Sequence, residues 1–480
     1  MSPFLISIIV FLMAYALIAS EKIEKAIAAV FGAAAMVLLG AADFEFMLGK
    51  IDLNVLGLLV GMMIIVNIMA TTGVFEWLAI KIAKQTRGNG ILVTLEFLAA
   101  TAVVSALMDN VTTVILMTPV TILIGQLLRL PVVPILICEA VFSNIGGTAT
   151  LIGDPPNILI GASCGLSFNE FIINLAPVVL LIGVVCAVAV LFALRKDLHS
   201  DPEAVREVMR TEPQLAILQP QRLRRSLIVF AAVLLGFATS RWIRVEPGLI
   251  AVCGAFAMIL TCGMSLPKML EKVEWPTIIF FCGLFMMVAG LEANGVFIKL
   301  GEEMLGLTRG NYAAAMLVIL WSAAIFSAIV DNIPLVIAMI PLIMGIVPAF
   351  VAARFPGVEI SAENIRTLLM PDVIAAYAAG GADAVAGKLA HPEVLALLSP
   401  EQLAQIADQI VKPLLWALAL GACLGGNGTL IGASANVVIA QIANRNHYPL
   451  TFARFTKYGF PLMLLSTAIS TVYLYFRYLR

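Results

Sequence analysis

Apolar residues along this chain come in long blocks separated by short polar intervals. The blocks at Pro3 to Ala19, Ala26 to Ala41, Asn54 to Thr72 and Phe171 to Leu194 approach or exceed the roughly 20 helical residues that cross a hydrocarbon core. They predict a polytopic helical bundle. The first block follows no basic stretch and many more come after it, so it reads as a span and not as a cleaved leader. One apolar region is interrupted. SNIGGTATLIGDPPNILIG, Ser143 to Gly161, holds four Gly, two Pro, two Asn, two Thr and an Asp in 19 residues. Irregular backbone at membrane depth is tolerated only where protein buries it or water reaches it, because lipid offers no hydrogen bonds. The interruption therefore predicts a broken helix beside a polar site.

The pattern also repeats. SALMDNVTTVILMTPV from Ser105 matches SAIVDNIPLVIAMIPL from Ser327 at an offset of 222, and GGTATLIGDPPN from Gly146 matches GGNGTLIGASAN from Gly425 at an offset of 279. Two homologous halves follow, the second carrying about 57 extra residues between its motifs. The predicted organisation is a first transmembrane repeat at 1–194, a cytoplasmic linker at 195–225 and a second repeat at 226–480, with an extramembrane insert at 352–412. If the arms around Asp109 form a re-entrant hairpin, each half has about five spans plus that hairpin and a broken helix. An odd number of spans inverts the second half relative to the first. The fold class is thus all-α and polytopic, with two inverted-topology repeats.

Charge enters next. With the linker in the cytoplasm and both termini outside, 18 of the 29 Lys and Arg lie inside, as the positive-inside rule asks. Composition agrees with a multi-pass protein of the cell inner (plasma) membrane: 61% hydrophobic, 12% charged, mean hydropathy +1.03. A net charge of −1 offers no face for nucleic acid. The seven cysteines lack metal-ligand spacing and read as small packing residues, and the three histidines lie in polar connections, so no cofactor or metal is expected. No nucleophile, base and orienter come together in the sequence, which disfavours an enzyme.

The polar residues of the breaks and hairpins are the candidate chemistry. Helix breaks in inverted-repeat transporters present helix N-termini and unwound carbonyls to solutes and ions at mid-membrane. Asp109 and Asp331 are either caps at the hairpin tips or ion-coupling groups; carboxylates are costly in a membrane, and both recur at one offset. Asp154, before Pro155 and Pro156, reads as a helix cap or a coupling carboxylate. Its repeat partner is Ala433, with Ser434 as an alternative cap. Glu96 and Glu139 have apolar surroundings and no repeat partner, so each is a proton site or a hydrogen-bonded packing group.

SNIGGTATLIGDPPN, MDNVTTVILMTP and VDNIPLVIAMIP together resemble the arsenite efflux permease and P protein branch of the ion transporter superfamily, which also holds sodium/proton antiporters and dicarboxylate carriers. The resemblance spans both halves apart from the insert. It implies a scaffold part and a mobile transport part, the latter made of two hairpins and two broken helices and moving by an elevator or rocking step. Ser143, Asn144 and Thr148 take the Ser-Asn-Thr positions of the first break, with Thr150 behind. Ala422, Cys423 and Asn427 stand at those positions in the second break, a departure that argues against two equal cages of the dicarboxylate-carrier kind. The substrate-binding set is Asn110, Ser143, Asn144, Gly146, Thr148, Thr150, Asn157, Asn332, Gly426, Asn427, Thr429 and Asn436, with Asp109, Asp154 and Asp331 coupling an ion. The implied partners are a small inorganic solute, protons and the lipid bilayer, together with a second copy of the chain or a cytoplasmic ATPase subunit.

The motifs contain no Lys or Arg, so a multiply charged anion beside three aspartates is electrostatically disfavoured. A neutral solute such as As(OH)3 needs only amide, hydroxyl and carbonyl partners. Proton-coupled efflux of arsenite or antimonite is the leading expectation. Sodium/proton antiport and the transport of an organic or inorganic anion are the alternatives.

Overall fold

The computed structural model describes residues 2–20, 22–210, 212–356, 360, 373 and 400–480. Every regular element among the described residues is helical. The first half comprises α1 (Pro3–Ser20), α2 (Lys25–Leu38), α3 (Phe44–Gly49), α4 (Leu53–Ala70), α5 (Val74–Gln85), α6 (Gly90–Leu107), α7 (Asn110–Leu127), α8 (Val132–Gly147), α9 (Pro155–Cys164) and α10 (Phe168–Leu194). α11 (Pro202–Arg210) follows in the linker. The second half comprises α12 (Pro220–Ile243), α13 (Pro247–Cys262), α14 (Leu266–Leu270), α15 (Trp275–Ala293), α16 (Val296–Thr308), α17 (Tyr312–Ile329), α18 (Asn332–Arg354), α19 (Lys412–Gly425), α20 (Ser434–Arg445) and α21 (Phe452–Leu474). Ten helices among the described residues are long and apolar enough to cross a membrane, including the four arms of the hairpins. The protein is an all-α polytopic membrane protein.

The duplication extends to local chemistry. α2, α4, α5, α6 and α7 begin 222 residues before α13, α15, α16, α17 and α18, and α9 begins 279 before α20. Thr86-Arg87-Gly88-Asn89 recurs as Thr308-Arg309-Gly310-Asn311, with Arg and Gly left-handed in both copies (φ 52° and 66°; 51° and 67°). Paired left-handed residues end one helix and let the chain turn sharply into the next. Asn89 and Asn311 then cap α6 and α17 by accepting backbone N–H bonds.

The halves interlock. Gly32 faces Met287, Gly283 faces Ala29 and Gly290 faces Met36, so α2 and α15 run side by side in the same direction. Gly248 meets Asn54 and Gly61 meets Ala251, which pairs α4 with α13 in the same way. Small residues let the backbones approach closely where lipid supplies no hydrophobic drive. Homologous elements have exchanged partners, as a pseudo-twofold axis between the halves requires. A second set obeys the same exchange: α7 packs on α20, and α18 on α9.

Two boundaries differ from the sequence reading. α12 starts at Pro220, inside the stretch read as linker, because Pro220 suits a first helical turn. The linker lies against the first half: Arg129 and Asp201 form an ion pair, and Leu218 N–H bonds Thr72 O at 3.1 Å. Most of the insert read at 352–412 lies outside the described residues. Its last part, 400–411, is helical and joins α19 in one helical run, burying Leu403, Ile406 and Ile410. The apolar positions in SPEQLAQIADQIVK face protein.

Candidate functional site

The break after α8 is built by composition. Gly146 closes on α6 so tightly that a Cβ would lie 2.1 Å from Ala102 O, and Gly147 and Gly153 stack backbone against backbone. Asn157 holds the irregular turn by donating from Nδ2 to the carbonyls of Gly147 (3.3 Å), Thr148 (3.1 Å) and Thr150 (2.8 Å). Asn436 does the same in the second half, donating to Gly426 O (2.8 Å) and Thr429 O (3.0 Å). Each amide replaces the ladder bonds that the break gives up, as buried carbonyls demand.

The hairpin tips dock on these breaks. Ser105 Oγ donates to Ser143 O at 2.6 Å, and Thr150 Oγ1 to Ala106 O at 2.6 Å. The equivalents are Ser327 Oγ to Ala422 O at 2.6 Å and Thr429 Oγ1 to Ala328 O at 2.5 Å. α8 alone rises roughly 24 Å, short of the roughly 30 Å hydrocarbon core, so it crosses only together with α9. A tip that meets the break between them stops part-way along that crossing.

Across the axis the two halves meet side chain to side chain. Asn144 Nδ2 donates to Asn427 Oδ1 (2.9 Å) and Asn436 Oδ1 (3.1 Å) and its Oδ1 accepts from Asn110 Nδ2 (3.0 Å). Cys423, at the position equivalent to Asn144, donates from Sγ to Asn157 Oδ1 at 3.5 Å. Asn332 Nδ2 donates to Asp154 Oδ1 at 3.3 Å. Ser143, Asn144, Thr148, Asp154, Asn157, Asn427 and Asn436 are fully buried. The structure thus brings Asn110, Ser143, Asn144, Asp154, Asn157, Asn332, Asn427 and Asn436 into one bonded junction. Gly146, Thr148, Thr150, Gly426 and Thr429 supply its backbone frame.

The three aspartates differ. Asp109 caps α7, accepting from Thr112 N–H (2.8 Å) and Thr112 Oγ1 (2.6 Å). Asp331 caps α18 through Ile333 N–H (3.2 Å), while its Oδ2 takes Ser434 Oγ at 2.5 Å and Lys25 Nζ at 2.5 Å. Asp154 precedes α9 but its side chain caps nothing: Pro156 has no N–H, and the Asn157 N–H goes to Asp154 O at 2.9 Å instead. It reaches instead to Asn332, and Asp154 Oδ2 is left unpartnered, as are Asn110 Oδ1 and Asn427 Nδ2. Unpaired buried polar atoms are costly, so each of the three calls for a partner.

The family profile described as citrate transporter matches residues 15–362, most of the chain. The chain belongs to this family. It is a membrane transporter. Among members and relatives, the 46 kDa membrane protein of Mycobacterium leprae is 35% identical over 99% of both chains, and an uncharacterized transporter of Mycobacterium tuberculosis is 35% identical over 98% of both. The human P protein is 29% identical over 96% of this chain and 58% of its own length. In fold the chain resembles the Alcanivorax borkumensis YdaH transporter, with a TM-score of 0.53 at 12% identity, over 90% of this chain and 87% of that one.

For this citrate transporter family member, sequence reasoning missed two site residues. Cys423 was aligned with Asn144 by the repeat but grouped with the packing cysteines and left out of the binding set, and the structure bonds it to Asn157 across the axis. Lys25 lies 306 residues from Asp331 and outside every motif, so the expectation of a site without a cation is amended. Its flanking position at the head of a short apolar helix gave no such signal.

Proposed function

We propose that the chain exports a small uncharged hydroxylated solute, with arsenite and antimonite as the type, in exchange for protons. The observation that carries this reading is the chemistry of the junction: among the described residues Asn110 Oδ1, Asp154 Oδ2 and Asn427 Nδ2 are unpartnered beside amides and hydroxyls, and the charge of Lys25 is matched by Asp331. A neutral polyol-like solute donates and accepts at once, satisfying both acceptors and the donor. A carboxylate in that place is the default carrier of the coupled proton. Likeness of the hairpin and break motifs to the arsenite permease branch supports the same solute class.

Alternating access follows from two packed sets of helices. α1, α2, α4, α12, α13 and α15 form one, and the hairpins with the broken helices form the other, which moves as a body about its site. In this reading the linker is cytoplasmic, the termini are extracytoplasmic and the second half is inverted in the plasma membrane. A second reading, transport of a carboxylate anion, is favoured by Lys25 and by the family's description as citrate transporter.

Everted membrane vesicles test both. Arsenite should accumulate when the interior is acidified and stop when the proton gradient is collapsed. Accumulation of citrate without arsenite would give the second reading its place, and sodium-driven proton release with neither solute would make the chain an antiporter.

A further inference from the structure

α8 carries a carboxyl group that the junction does not use. Glu139 is 1% exposed, and among the described residues neither of its side-chain oxygens has a hydrogen-bond partner. Of the two readings of its sequence context, the proton site is the one this bonding favours. An ionised carboxylate in such a place would give up its hydration with no compensation.

The facing helix has a matching irregularity. α7 and α8 run antiparallel, with Gly125 against Val132 at one end and Asn110 against Ser143 and Asn144 at the other. Thr118 and Thr121, about one turn apart on α7, fall between these anchors, as Glu139 does on α8. Both hydroxyls are buried and unpartnered. Buried helical threonines ordinarily donate to the carbonyl four residues back, and Thr113 on the same helix, Thr94 and Thr308 do so at 2.8 to 2.9 Å. Thr118 and Thr121 do not. The Thr121 hydroxyl is the one that faces the Glu139 carboxyl.

The second half supplies an internal comparison. The positions equivalent to Thr118, Thr121 and Glu139 hold Ile340, Ile343 and Leu418. All three are polar together in one half and apolar together in the other, as expected of one shared function and not of three independent packing choices.

Charged groups on the helices against α8 do not compensate Glu139. These are Glu96 on α6, Glu170 on α10, Lys412 on α19, Arg445 on α20, and Arg454 and Lys457 on α21; Asp109 heads α7. Lys412 pairs with Glu170 at 2.6 Å, and Asp109 is bonded to Thr112. The thiol of Cys423 and the phenol of Tyr473 point to Asn157 and Asn174, and no bond links Cys186 or Tyr458 to Glu139.

We propose that Glu139, with Thr118 and Thr121, forms a proton-binding site in the first half, one turn of α8 behind Ser143, and that Glu139 carries its proton in this state. The assignment concerns a proton and a named carboxyl, so it holds whichever solute the junction takes. Protonated, Glu139 is a neutral donor among apolar residues; deprotonated, it places a charge behind Ser143 and Asn144 with the Thr121 hydroxyl beside it.

Infrared difference spectroscopy of the full-length chain in lipid tests this. At neutral pH a protonated-carboxyl C=O stretch should vanish in Glu139→Gln and persist in Asp154→Asn, and Thr121→Val should shift its frequency. Glu139→Leu, which copies Leu418, should lose the same band and guards against a folding defect of the Gln variant. Replacing choline by sodium should leave the band intact. Identical carboxyl bands in wild type and both folded Glu139 variants would overturn the proposal, and so would a band that sodium abolishes, which would make this a metal-cation site.

Discussion

Lys25 Nζ lies 2.5 Å from Asp331 Oδ2, joining the head of α2 to the tip of the α17–α18 hairpin. α2 belongs to the interlocked frame and the hairpin to the set around the junction, so this ion pair bridges the two. Asp331 is 3% exposed in its side chain and Lys25 29%, and removing one partner of a largely buried pair leaves an uncompensated charge. Lys25→Met should destabilise by about 3 kcal/mol, the low end of the range for such pairs because Lys25 is partly wet. Adding Asp331→Asn should restore most of the loss in thermal unfolding while leaving transport impaired. Additive losses in the double variant would show that the two groups act independently.

Asn144 is the residue most bonded across the axis. Asn144→Ala strips a partner from Asn110, Asn427 and Asn436, and unsatisfied buried groups cost about 1–3 kcal/mol each. The expected result is a clear drop in melting temperature together with loss of solute binding. Cys423→Ser keeps a donor for Asn157 and should leave both nearly unchanged; a loss in the serine variant would make the thiol itself necessary.

Asp109 and Asp154 should separate in a substitution pair. Asp109→Ala removes a working cap, at about 0.5–2 kcal/mol. Asp154→Asn removes no cap, so stability should hold, while the pH dependence of transport flattens if Asp154 bears the coupled proton. Equal destabilisation of the two would contradict the bonding described here.

Gly146→Ala and Gly425→Ala should each pry a hairpin arm from its broken helix. The added Cβ atoms would stand 2.1 Å from Ala102 O and 2.4 Å from Ala324 O, and neither obstacle is a movable side chain. Overpacking of this kind costs about 1–3 kcal/mol or more. Gly183→Ala, with nothing within 4 Å, is the matched control and should be near neutral in the same unfolding and transport assays.

Most of the architecture was legible because membrane physics writes it into local composition. The apolar blocks gave the spans, and the offsets of 222 and 279 located both hairpins and both breaks, because each break keeps the paired Gly at its start, the Thr-Leu-Ile-Gly turn and the Asn that holds the turn. Contacts between distant segments were not legible. Lys25 reaches Asp331 through the packing of α2, and the motif itself carries no trace of that. The role of Asp154 was ambiguous in sequence because N-cap position and N-cap bonding are separable: Pro156 removes one donor and the Asn157 N–H goes to the backbone carbonyl of Asp154, which is visible only after asking where each N–H goes. What the helical run at 400–411 packs on was not legible either, because the apolar positions of SPEQLAQIADQIVK do not say whether they meet lipid, solvent or protein.

The interlocked frame has a consequence for biosynthesis. α2 and α4 find their partners in α15 and α13, which a ribosome makes more than 190 residues later. The seams are lined by Gly32, Gly61, Gly248 and Gly283, whose bare backbones cannot be left facing each other across a gap without losing the contacts that hold them. α2 and α4 must therefore wait in the bilayer without these partners until the second half arrives. Two polypeptides cut within the linker and co-expressed should meet the same requirement, each unstable alone and complementing the other.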